Sequence, residues 1–164
     1  MKLRLQLLII LNLLIFHSCY AQPQDSIIHQ SWLNLKEMLL RKANHVKELS
    51  DLLSKSSKIN KTIPEDARNF AQLFSNTMNA VKRINVSSIE TINIQHQQLS
   101  NILKKLLKKS IKNSKSKNWN DPAIEIHGQL EGCENRIRYA SNQYNDICHK
   151  YGLSGMFFGS YEPE

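Results

Sequence analysis

Apolar residues recur along this chain at steps of three and four, the spacing of one face of an α-helix. They do so in four separate stretches. The first runs Ile28, Trp32, Leu35, Leu39, Lys42, Val46, Leu49, Leu53, and the single charged position Lys42 interrupts it. A short polar lead (22–26) precedes it, and a Ser- and Lys-rich break without a stripe (54–61) follows. The second stripe is Phe70, Phe74, Thr77, Val81, Ile84. It opens at Thr62, which stands three residues before Glu65 in the spacing of a capping box, with Pro64 in the first turn where its missing N–H costs little. Ser88 is placed to cap a third helix that turns Ile89, Ile92, His96, Leu99, Leu103 and Leu106 inward. The fourth stripe is the most regular: Ala123, Ile126, Leu130, Cys133, Ile137, Ala140, Tyr144, Ile147, Tyr151. Asp121-Pro122 before it and Gly152 after it are helix start and stop signals. Outside the stripes no stretch keeps a strand's alternation for long. The pattern predicts an all-α fold, an antiparallel up-down four-helix bundle with long first and last helices, its short connections setting successive helices side by side.

Composition agrees with helices. Of 164 residues 41% are hydrophobic, with only five Gly and four Pro, and that length suffices for one domain with a real core. The first 21 residues set the compartment. Lys2 and Arg4 precede an apolar run from Leu5 to Phe16, broken only by Gln6 and Asn12, and a small-residue exit follows. This is the layout of a secretory signal, and the run is shorter than the ~20 residues of a spanning helix. The chain therefore divides into 1–21, a signal peptide or membrane anchor, and 22–164, the helical domain. Three endings stay open: cleavage after Ala21, lipidation of Cys19, or retention as an anchor. Cys133 and Cys148 lie in one predicted helix, roughly 22 Å apart at 1.5 Å per residue, too far for a disulfide within one chain. Cys133 reads as a small core residue and Cys148 as a partly exposed thiol.

Candidate chemistry is densest in 129–146, "QLEGCENRIRYASNQYND". The seam turns Leu130, Cys133, Ile137, Ala140 and Tyr144 inward and leaves Glu131, Glu134, Arg138, Gln143 and Asp146 on the flanks and back. Glu131 with Asn135, and Glu134 with Arg138, are i,i+4 neighbours, each such pair contributing a few tenths of a kcal/mol. Nucleophilic catalysis finds no support: adjacent Cys148 and His149 diverge by about 100° on a helix, and no phosphate loop, Cys-x-x-Cys or Gly-x-Ser-x-Gly occurs. A di-iron bundle needs inward Glu and Glu-x-x-His pairs. The sequence offers only His45-x-x-Glu48 in reverse and Asp146-x-x-His149, while His96 has no Glu beside it on its inner stripe. No catalytic, cofactor or metal residue is assigned. The counter-hypothesis is a catalytic or metal-binding bundle built on His96 and Tyr144.

The net charge of +8 gathers at one place. Lys104, Lys105, Lys108, Lys109 and Lys112 line one side of the end of the third helix, with Lys115 and Lys117 in the loop beyond. Cations there complement the helix dipole. They also suit anionic lipid, each Lys adding ~1 kcal/mol near such a surface. Nucleic acid is not expected, because no aromatics interleave the run. Met156, Phe157 and Phe158 are expected to fold back over the bundle end. Asn60-Lys61-Thr62 and Asn85-Val86-Ser87 are glycosylation sequons by pattern alone.

The run 129–146 resembles the C-terminal signature of the LemA family. Gln129, Leu130, Glu131, Gly132, Glu134, Asn135, Arg136, Ile137, Ala140, Tyr144 and Asn145 match, while Cys133 and Ser141 replace the usual Thr and Arg. Gly155, Phe157, Phe158, Gly159, Tyr161 and Glu162 echo the family's ending. Trp32, Met38-Leu39 and Arg41-Lys42 echo its beginning, with Asn44 and Lys47 where Asp and Pro are usual. The similarity spans residues 28–53 loosely and 99–162 more closely. It implies a helical bundle tied to a bacterial membrane by its N-terminus, with no established enzymatic activity and no catalytic residues to carry over. The signature residues are then structural. The expectation is an exported, non-enzymatic interaction module of the periplasm or membrane-associated envelope, meeting an envelope protein or the membrane surface.

Overall fold

The computed structural model describes residues 22–55, 60–113 and 122–160. Cys19, Lys115, Lys117, Asp121, Tyr161 and Glu162, and the side chain of Lys112, lie outside them. Among the described residues four helices follow in order: α1 Gln22–Ser54, α2 Thr62–Ala80, α3 Val86–Asn113 and α4 Pro122–Lys150, then a 3₁₀ turn at Ser154–Met156. The fold is the all-α four-helix bundle that the stripes predict. α1 begins at Gln22, so it takes in the polar lead.

α1 is the central element. It packs on α4 along one side and on α2 along the other, and α2 packs on α3. Lys42 faces Glu134 and Trp32 faces Tyr144, so a step back along α1 is a step forward along α4, and the two run antiparallel. α3 and α4 hardly meet directly. The 3₁₀ turn stands between them and touches both.

Every residue of the first stripe is buried, Lys42 included. In α4 the buried set is Leu130, Cys133, Ile137, Ala140, Tyr144, Asn145 and Cys148. Cys148 is thus a core thiol rather than a partly exposed one. From Tyr144 the seam continues by four residues instead of three, leaving Ile147 half-buried. The second stripe is shifted further. α2 buries Pro64, Ala67, Ala71, Phe74, Ser75 and Met78, and it ends at Ala80, so Val81 and Ile84 fall after it. α2 lies between two neighbours, and small side chains at 67 and 71 let helices approach closely. A pattern built on bulky residues does not register alanines.

The caps differ from the expected ones. Thr62 and Glu65 make no capping box. Asn60 Oδ1 instead accepts the Thr62 N–H at 3.0 Å, and the Lys61 carbonyl accepts the Glu65 N–H at 3.0 Å. The reciprocal box forms one helix later. Asn85 Oδ1 accepts the Ser88 N–H and Ser88 Oγ accepts the Asn85 N–H, both at 2.9 Å. Asn85 is therefore the cap of α3, and Ser88 is the inner arm. α4 ends as expected: Gly152 takes φ +69°, its N–H meets the His149 carbonyl at 3.0 Å, and the Leu153 N–H reaches back to Cys148 at 2.8 Å. This is a Schellman closure.

Candidate functional site

The charged interruption of the α1 stripe is the centre of a polar layer inside the bundle. Lys42 is fully buried, and its three ammonium N–H groups have three partners. Nζ stands 2.6 Å from Glu134 Oε1 on α4, and 2.7 Å from Ser100 Oγ and 3.0 Å from His96 Nε2 on α3. An ammonium has no lone pair, so Nε2 accepts and the ring proton sits on Nδ1. Ser100 Oγ passes the network on by donating to the His96 carbonyl at 3.0 Å. Two aromatic rings stand near His96, Phe158 at 5.2 Å and Phe74 at 6.4 Å.

Burial, then the Lys42 charge, pushes the His96 pKa down to about 3, which keeps the imidazole neutral near neutral pH. Burial also pulls the Lys42 ammonium below its ordinary range, opposed by the Glu134 carboxylate. The neighbouring Cys133 thiol donates to the Met38 carbonyl at 3.4 Å, and burial raises its pKa. Further along the α1–α4 seam, Trp32 and Tyr144 meet edge to face at 6.0 Å. Burial, then the adjacent Cys148, pushes the Tyr144 hydroxyl far above the ordinary phenol range. The amine is fully hydrogen-bonded, the Nε2 lone pair of the neutral imidazole is taken by Lys42, and burial favours the protonated thiols and phenol. The arrangement ties three helices at one level. Among the described residues no group of three or more His, Cys, Asp or Glu side chains is placed to hold a metal.

The structure redistributes the signature residues. Glu134 reaches across to Lys42 rather than along α4 to Arg138, and Arg138 instead donates to Asn135 Oδ1 at 3.1 Å. A desolvated ammonium attracts a carboxylate more strongly than a solvated guanidinium does. Glu131 is exposed, 3.7 Å from His127 Nδ1. A side chain at Gly132 would meet nothing within 4 Å, so the glycine marks no close approach. Ile137 and Tyr144 are core. Asn145 is buried and engages the returning tail: it accepts the Phe158 N–H at 2.8 Å and donates to the Phe158 carbonyl at 2.9 Å.

No family model, curated protein or solved structure matches this chain.

Grooves mark the outer surface of the described residues. One, of about 410 Å³ between α1 and α4, is lined by Met38, Glu37, Asn135, Arg136 and Tyr139, the last 67% exposed. Another, of about 670 Å³ between α2 and α3, is walled by Ile63, Phe70, Leu73 and Ile102, with Asp66 and Lys105 at its side. Lys104, Lys105, Lys108 and Lys109 are all exposed. His45 pairs locally with Glu48 at 3.0 Å on α1. Sequence reading singled out neither Lys42 as a hub nor, as clamps on the tail, Asn145 and Asn93, which donates to the Phe157 carbonyl at 3.0 Å and accepts the Gly159 N–H at 2.8 Å. The one visible signal was polar residues on two apolar stripes, Lys42 and His96.

Proposed function

We propose that this chain is an exported, cell-envelope-associated helical bundle of the LemA type that acts as a non-enzymatic interaction module. The observation that carries the reading is a division of labour. Inside the bundle Lys42 is engaged with His96, Ser100 and Glu134, and Asn145 with the tail backbone. The surface offers contacts instead, in the α1–α4 groove with exposed Tyr139 and in the basic end of α3. The export half rests on residues 1–21, with Cys19 as the lipidation point if the signal is of that kind.

The test is retention of the purified chain on envelope membranes of its host. Lys42→Met should bind as the native chain does, whereas Tyr139→Ala with Arg136→Ala should bind several-fold less. Loss with the interior variant and none with the surface one would refute the reading.

A second reading, contact with anionic lipid through the basic face 104–117, is favoured by one feature. The apolar α2–α3 groove borders Lys105, so apolar and cationic surface adjoin. Sedimentation with phosphatidylglycerol vesicles should weaken with salt and with Lys104, Lys105 and Lys108 changed to Gln. Vesicle binding indifferent to both would end it.

A further inference from the structure

Between α3 and α4 the bundle is closed by a strap of chain rather than by helix packing. Residues 157–159 cross the gap, with Phe157 extended at φ −66°, ψ 137°. Two asparagines hold them, one from each helix, and each uses both ends of its amide. Asn145 takes the N–H and the carbonyl of Phe158 at 2.8 and 2.9 Å. Asn93 donates to the Phe157 carbonyl at 3.0 Å and accepts the Gly159 N–H at 2.8 Å. All four bonds go to main chain, as in recognition of an added strand. One side chain is read deeply: Phe158 is 4% exposed, its ring 5.2 Å from that of His96. Gly159 takes φ +70°, a conformation that residues with a Cβ rarely adopt.

We propose that this cleft is a peptide-binding site for an extended aromatic–glycine segment, and that its ligand in trans is residues 153–160 of a second copy of this chain. The four hydrogen bonds are to backbone, and Leu153, Met156, Phe157 and Phe158 pack on the core, so the same segment from another copy reproduces every contact. α4 ends just before it at Lys150, and the closing residue Gly152 has φ +69° with open space where a side chain would stand. A change of direction at Gly152 and Leu153 carries the segment away and gives up only the Leu153 N–H bond to Cys148 from the closure of α4. Exchange of an identical element is a low-cost route to a dimer. The inference is independent of export and of the surfaces named above.

The full-length chain with Phe158→Ala keeps the cleft and disables its own segment. A fluorescent synthetic peptide of residues 153–160 should bind it about tenfold more tightly than it binds the native chain, where the resident segment competes. The same peptide with Phe158→Ala should bind neither. Sedimentation velocity of the native chain should show a dimer that grows with concentration and is absent from Asn145→Ala. A helical Phe158→Ala chain that ignores the native peptide overturns the cleft as a site. Peptide binding with a native chain monomeric at every concentration overturns the exchange. If Phe158→Ala is not helical by circular dichroism, the native dimer and its loss in Asn145→Ala decide alone.

Discussion

Lys42 concentrates the residue-scale physics. A buried ion pair adds little net stability over an apolar pair of the same size, but removing one partner strands the other's charge. Lys42→Met should therefore be neutral or stabilising. Glu134→Gln, which leaves the ammonium buried without its counter-ion, should cost about 2–3 kcal/mol, below the fully buried range because Glu134 keeps 44% of its side-chain exposure. Urea denaturation of the two variants checks the order, and the reverse order contradicts it.

His96 adds a pH dependence. Its native pKa, about 3, lies below the ~6.5 of an unfolded histidine, so between these values the unfolded chain binds the extra proton. Its contribution is complete above about pH 6.5 and is lost as pH falls toward 3, on the order of a few kcal/mol across the window. His96→Gln should flatten that part of the stability curve, measured by urea midpoints from pH 4 to 7. Lys42 was legible as a break in its stripe, and His96 as a polar residue on another. Glu134 was not, because the i,i+4 rule sees only partners on its own helix, and the strongest attraction came from across the core.

At the scale of elements, the caps separate real boundary chemistry from apparent motifs. Asn85→Ala should cost about 1 kcal/mol by removing the outer arm of the α3 box, whereas Thr62→Ala should change stability little, since its side chain caps nothing. Gly132→Ala should stabilise by about 0.5–1 kcal/mol, because the position is helical and open. Thermal melts of the three variants suffice, and a destabilising Gly132→Ala would show a close approach that this structure does not contain. The first and fourth helices were readable because large apolar residues recur along their faces from end to end, with Cys133 and Ala140 spaced between them in α4. The second was misplaced in face because alanines do its packing, and packing partners decide whether an alanine counts as core.

For the whole molecule, four helices in antiparallel order followed from periodicity and short connections. The closure between α3 and α4 did not. It depends on Asn93 and Asn145 meeting across a gap, and no pattern along either helix announces that. The tail was expected to fold back, and Phe158 does so into the core. The functional reading depends on the molecule working outside the cytoplasm through its surface. The decisive measurement is the intact mass of the protein recovered from its native host, with soluble, membrane and cytoplasmic fractions kept apart. The account predicts a chain outside the cytoplasm: starting at Gln22 when released, at Cys19 with acyl chains when tethered, or unprocessed in the membrane. A full-length chain starting at Met1 in the soluble cytoplasm would contradict it.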